Sequence, residues 1–150
     1  MTSDLDASIL ISRPVADVFA YVANFENHPQ WEKNFRQVRR LSAGDDGVGT
    51  KYECVFKVPG QQVTATLEIT GYEPDRRIGF RADKPAMAKP VGEILFAPEG
   101  AGTRVTLRPR PEIGGPMRLI APLMAGYIRR NNLSHLRLLK ERLEQPAATS

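Results

Sequence analysis

The sequence predicts an α+β fold in which a curved antiparallel sheet of six or seven strands grips a long C-terminal helix, with two short helices after the first strand. Three observations carry this. Apolar and polar residues alternate through most of the segment from Phe35 to Leu107, and tight turns interrupt the alternation. A helical apolar stripe runs through the last thirty residues before the tail. Consecutive strands joined by tight turns form a meander with one wet and one dry face, and the dry face must be covered.

The elements follow in order. Asp6 to Ser12 alternates, with Ala7, Ile9 and Ile11 on one face, and reads as a strand. Pro14 opens a helix, Asp17 suits its positive end, and Val15, Val18, Phe19 and Val22 form an i, i+3, i+4, i+7 stripe. Asn27-His28-Pro29 reads as a second helix start, capped by Asn27 with Trp31 one turn in. Phe35 to Leu41 is the next strand, followed by a turn at Gly44 to Gly47. Tyr52, Cys54, Phe56 and Val58 alternate up to a hairpin at Pro59-Gly60, and Val63, Ala65, Leu67 and Ile69 answer them. Ile78, Phe80 and Ala82 continue after Pro74-Asp75. A loop carrying Pro85, Met87 and Pro90 then leads to strands with Ile94 and Phe96 and with Val105 and Leu107. Gly115 to Glu144 is the long helix, with Met124, Ile128, Leu136, Leu139 and Leu143 on one face; Pro122 leaves open a kink or a separate first turn.

Composition sets the bounds. The 150 residues, 41% hydrophobic and 25% charged, suit a single domain covering 1–150, with 145–150 expected to be a disordered tail. A net charge of +4, spread along the chain as 15 Arg and 6 Lys against 17 acids, argues against a nucleic-acid surface. The lone cysteine cannot form an internal disulfide, and the polar start lacks the pattern of a signal peptide. No apolar run approaches the ~18 residues of a membrane span. The expectation is a cytoplasmic monomer or homodimer without integral membrane association.

The order of elements and several local runs resemble the START-like (SRPBCC, helix-grip) superfamily, and most closely its polyketide cyclase/dehydrase-like branch. The runs are Arg13-Pro-Val-Ala-Asp-Val-Phe19, Phe25-Glu-Asn-His-Pro-Gln-Trp31, Gly47-Val-Gly-Thr-Lys-Tyr52, Gly102-Thr-Arg-Val-Thr106 and Leu136 to Leu143. The resemblance spans nearly the whole chain and implies a helix-grip fold. It does not imply one activity, because the superfamily includes lipid carriers, aromatase/cyclases, quinone-binding proteins and hormone receptors, and the branch has no invariant catalytic motif.

Site residues therefore come from the inward positions. One helix cannot fill the concavity of a strongly curved sheet, so an apolar ligand cavity is expected between them. Tyr52, Cys54, Phe56, Phe80 and Phe96 on the strands and Met124, Tyr127 and Ile128 on the helix are the expected walls, with Trp31 at the mouth. Asn131 and His135, at i and i+4 beside the apolar stripe, are expected to orient a polar group of the ligand. His135 is the candidate acid/base group if there is catalysis. His28 reads as an ordinary surface residue. Glu93 points outward if Ile94 and Phe96 point in, and a shift of one residue would make it a candidate base. Two distant histidines and one cysteine give no metal-ligand spacing, and the Walker A, G-x-G-x-x-G and G-x-S-x-G signatures are absent, so neither metal nor cofactor is expected. Three functions are compatible: binding a hydrophobic small molecule such as a lipid, polyketide or aromatic metabolite; a polyketide cyclase or dehydratase using the same cavity; or a regulatory, partner-binding protein.

Overall fold

A computed structural model describes residues 5–58 and 60–145. The expected tail, from 146 on, lies outside them. The strands are β1 (Ala7–Ile11), β2 (Phe35–Arg40), β3 (Lys51–Val58), β4 (Gln61–Glu73), β5 (Arg77–Ala82), β6 (Ala88–Lys89), β7 (Val91–Glu99), β8 (Gly102–Pro109) and β9 (Glu112–Ile113). Two α-helices, α1 (Val15–Ala23) and α2 (Met117–Glu144), and a 3-10 helix over Phe25–Gln30 complete the chain. Seven strands form one antiparallel sheet in the order β1-β8-β7-β5-β4-β3-β2, while β6 and β9 pair separately. This is the helix-grip fold.

The meander sets most of that order, because each hairpin lays a strand beside its predecessor. β1 is the exception: it closes on β8, with Ala7 opposite Leu107 and Ile11 opposite Thr103. The chain must therefore cross from one sheet edge to the other before β2, and α1 and the 3-10 helix make that crossing. Register shifts at Phe35/Gln37 and Ile69/Gly71 mark bulges, which bend strands and increase local twist. Neighbours come close at Gly92, where a side chain would meet the Arg108 carbonyl and the edge of the Phe80 ring.

Alternation places the core as expected. Tyr52, Cys54, Ala65, Leu67, Ile78, Ile94, Phe96, Val105 and Leu107 are all buried on one sheet face. The α1 stripe of Val18, Phe19 and Val22 packs down on that face, and the Phe19 ring meets Phe96 edge-on at 5.0 Å. The second short helix differs from expectation. It is a 3-10 helix capped by Asn24, whose side-chain oxygen accepts from the Glu26 amide at 3.1 Å, and Pro29 lies inside it. Asn27 instead donates its amide to the Tyr21 carbonyl.

α2 is continuous through Pro122, which sits exposed in its second turn. The C-terminal half is docked: Leu136, Leu139 and Leu143 are buried. Its end is tied to the β1–α1 junction, where Arg13 donates to the Leu143 carbonyl at 2.7 Å and Glu144 accepts from the Ser12 amide at 2.7 Å. The first half lifts away from the sheet, and the single apolar stripe seen in the sequence thus has two jobs.

Candidate functional site

The space under the lifted half of α2 is a cavity of about 450 Å³. Phe56 of β3, Leu67 of β4, Phe80 of β5, Ile94 of β7 and Leu107 of β8 form its floor. Met124, Tyr127, Ile128, Asn131, Asn132 and His135 of α2 form its roof. The 3-10 helix closes one side with Phe25 and His28. The segment around β6, with Pro85, Ala88 and Pro90, closes another. A recess of about 100 Å³ continues between β6, β9 and α2, beside Met117, Ala121 and Met124. A wall this apolar, with few polar groups, is the usual makeup of a small-molecule site.

Phe56, Phe80, Met124, Tyr127, Ile128, Asn131 and His135 therefore come together around one space. Tyr52, Cys54, Phe96 and Trp31 do not line it. Phe96 faces the core but lies under α1, against Phe19. Tyr52 is 1% exposed and stacks against Phe25, which stands between it and the cavity. Burial pushes its phenol above the ordinary range, opposed in part by a hydrogen bond with the Phe25 backbone. Cys54 is wholly buried, and burial pushes its thiol up to about 12, so it stays protonated and is no nucleophile at neutral pH. Trp31 is 0% exposed, packed on His28 at the C-cap of the 3-10 helix, and is not at the mouth. The aromatic residue at the mouth is Tyr127, which both lines the cavity and is 59% exposed.

His28 is the larger correction. It is 1% exposed and borders the cavity. A 3-10 helix has three residues per turn, so Phe25 and His28 eclipse one another, and Trp31 at the C-cap packs on His28 next. That i, i+3 spacing of ring side chains is the signal in the sequence. The imidazole Nε2 donates to the Val22 carbonyl at 2.9 Å, and Nδ1 meets Glu32 Oε2 at 2.8 Å. Both ring nitrogens are thereby engaged, one by a backbone carbonyl and the other by a carboxylate, which fixes the ring's orientation. Glu32 also borders the cavity.

His135 is 4% exposed, and its Nδ1 has no hydrogen-bond partner among the described residues. Burial holds its pKa below 6.5, Glu32 opposes that shift and Lys33 adds to it. It is therefore a neutral imidazole at neutral pH. Glu93 stays on the outer face register, opposite Gly79 and Arg108; it borders the cavity, and its carboxylate is paired with Arg77 and Arg108. Both of its oxygens thus face guanidinium groups, Oε2 that of Arg77 and Oε1 that of Arg108. Among the described residues no group of three or more His, Cys, Asp or Glu side chains is placed to hold a metal ion, and no helix is long and apolar enough to cross a membrane.

Comparison with known proteins agrees with this geometry. The family model for polyketide cyclase / dehydrase and lipid transport matches residues 2–144. A protein of Thermus thermophilus is similar in structure, with a TM-score of 0.75 and 24% identity, over 92% of this chain and 94% of that one. A START superfamily protein of Mycobacterium smegmatis gives a TM-score of 0.71 at 19% identity, over 93% and 96% of the two chains. The Zhui aromatase/cyclase of a Streptomyces species gives 0.68 at 17% identity, over 93% and 92%. At these identities the likeness is one of fold. No curated protein matches significantly.

Proposed function

Because the chain belongs to the polyketide cyclase/dehydrase and lipid-transport family, we propose that it binds a hydrophobic small molecule in the cavity between sheet and α2. One observation carries this reading: an apolar space of about 450 Å³, with His135 and Asn131 on its helix wall. Burial supplies the affinity, and the two polar groups orient a hydroxyl or carbonyl of the ligand. On this reading the chain works as one domain in the cytoplasm, on a small apolar ligand and without nucleic acid or a resident cofactor.

The test is binding of the apolar fluorophore N-phenyl-1-naphthylamine, read as its emission gain. The parent protein binds it. Ile128→Trp fills the space and weakens binding by about tenfold or more, the equivalent of ~1.4 kcal/mol, with the melting temperature unchanged. Undiminished binding by that variant, with the fold intact, removes the cavity as the site.

A second reading, a cyclase or dehydratase, is favoured by the His28–Glu32 pair and His135 bordering the same cavity. A carboxylate hydrogen-bonded to an imidazole, and a second imidazole that is neutral, are the kinds of group that enolisation and water loss require. Turnover of a β-hydroxycarbonyl or poly-β-ketone probe, lost in both His135→Ala and Glu32→Gln, distinguishes an enzyme from a carrier.

A further inference from the structure

The outer face of the cavity roof is apolar and uncovered. Leu119 is 84% exposed, Leu123 83%, Tyr127 59% and Ile120 43%. Leu119, Leu123 and Tyr127 are spaced four apart and form one row along α2, with Ile120 beside it. Met87, 50% exposed, is held next to the start of α2 by a hydrogen bond from the Gly114 amide to its carbonyl at 3.0 Å. Scattered apolar residues on a surface need no explanation, but a contiguous row of this kind marks something that is bound.

The charges around the row say what. From Ile113 to Lys140 the sequence contains no Asp or Glu, while Arg118, Arg129, Arg130 and Arg137 are all present and exposed. Arg130 and Arg137 follow Leu123 at heptad spacing, so the face turns from apolar to cationic along its length. None of these four arginines forms an ion pair among the described residues, and neither do Lys84 and Lys89, which flank Met87 in sequence. The acid just before the helix, Glu112, is already held by two hydrogen bonds from Arg81, each 2.6 Å. A two-fold pairing of this face with a second copy would bring like charges together.

We propose that the first half of α2 is a docking surface for an anionic lipid bilayer. Leu119, Leu123 and Met87 enter the headgroup–acyl boundary, Tyr127 lies at its polar edge, and the arginines meet the lipid phosphates. Such a helix lies in the interface and does not span it. The proposal goes beyond ligand binding and stands on the outer face of α2, whatever the cavity holds.

Cosedimentation of the full chain with vesicles tests it, using phosphatidylcholine alone and phosphatidylcholine mixed with phosphatidylglycerol. The expected result is binding to the mixed vesicles, at least about tenfold weaker binding to phosphatidylcholine, and release by high salt. The double variant Leu119→Asp/Leu123→Asp, at positions outside the cavity wall and the core, keeps its melting temperature and stays in the supernatant. Sedimentation equilibrium gives the same mass for parent and variant. Failure of the parent to bind mixed vesicles, salt-insensitive binding to both vesicle types, or retained binding by the variant each overturns the proposal. A parent dimer that the double variant dissociates also overturns it, and gives the face to a second copy.

Discussion

The imidazole of His28 lies 3.9 Å from the ring of Phe25, only 18° from parallel. A 3-10 helix imposes this contact, because it sets residues three apart directly over one another. The stack does two things. It buries an imidazole whose two nitrogens are both hydrogen-bonded, and it brings Glu32 to the same side of the cavity.

His28→Ala is therefore expected to cost about 2–4 kcal/mol. It leaves the Val22 carbonyl and Glu32 without their partner and opens a void beside Phe25. Chemical denaturation at neutral pH measures this. A loss below about 0.5 kcal/mol, the range of ordinary surface substitutions, would mean that the site is not closed as described.

This residue also shows where the sequence is legible. Alternation in β3, β7 and β8 sorts Cys54, Phe56, Ile94, Phe96 and Leu107 to the inner face, because a period of two needs no tertiary information. It cannot say which inner residues face the cavity. That depends on what lies on top: α1 covers Phe96 and Phe25 covers Tyr52, while Phe56 and Phe80 are left facing space. His28 escapes a 3.6-residue period, because its helix turns every three residues. The two-residue strands β6 and β9 are invisible, since a pair that short carries no periodicity and its neighbours Pro85 and Pro90 read as loop.

The division of α2 into a docked and a lifted half makes a paired prediction. Leu139 is 0% exposed and Leu123 is 83% exposed, on the same helix. Leu139→Asp buries an unpaired carboxylate and is expected to cost more than about 4 kcal/mol, enough to unfold a marginally stable domain. Leu123→Asp is expected to leave the melting temperature within about 2 °C of the parent. Equal sensitivity at both positions, read by thermal denaturation, would place the first half of α2 on the sheet and eliminate the cavity.

Gly92 tests how the floor is built. A Cβ there would stand 2.7 Å from the Arg108 carbonyl oxygen, 3.1 Å from Pro109 Cα and 3.3 Å from the Phe80 ring. The first two obstacles are backbone and cannot swing aside. Gly92→Ala is expected to destabilise by about 1–3 kcal/mol through forced separation of β7 and β8. It should also weaken binding of the apolar fluorophore, because Phe80 is displaced from the cavity wall. A melting temperature equal to the parent's would show that the strands sit farther apart than this.

His135 predicts the pH dependence. Burial holds its pKa in the folded protein below 6.5, the value it regains on unfolding. The unfolded chain therefore binds more protons at mildly acidic pH, and stability rises with pH across that window. The contribution of neutral His135 is complete above about pH 6.5 and is lost as the pH falls toward the depressed folded value. Acid acts on the whole protein, so the informative quantity is a difference. Denaturation free energies of the parent and of His135→Gln are measured from pH 8 down to about pH 5, and the parent is expected to fall more steeply below about 6.5. Glutamine is uncharged throughout, so the gap between the two curves isolates the imidazole. Parallel curves would mean that His135 is protonated as readily folded as unfolded, which requires it to be solvated and not buried against the cavity. The same series, repeated with the fluorophore bound, separates two roles: a histidine that touches the ligand steepens the acid limb further, because protonation then costs binding as well as folding.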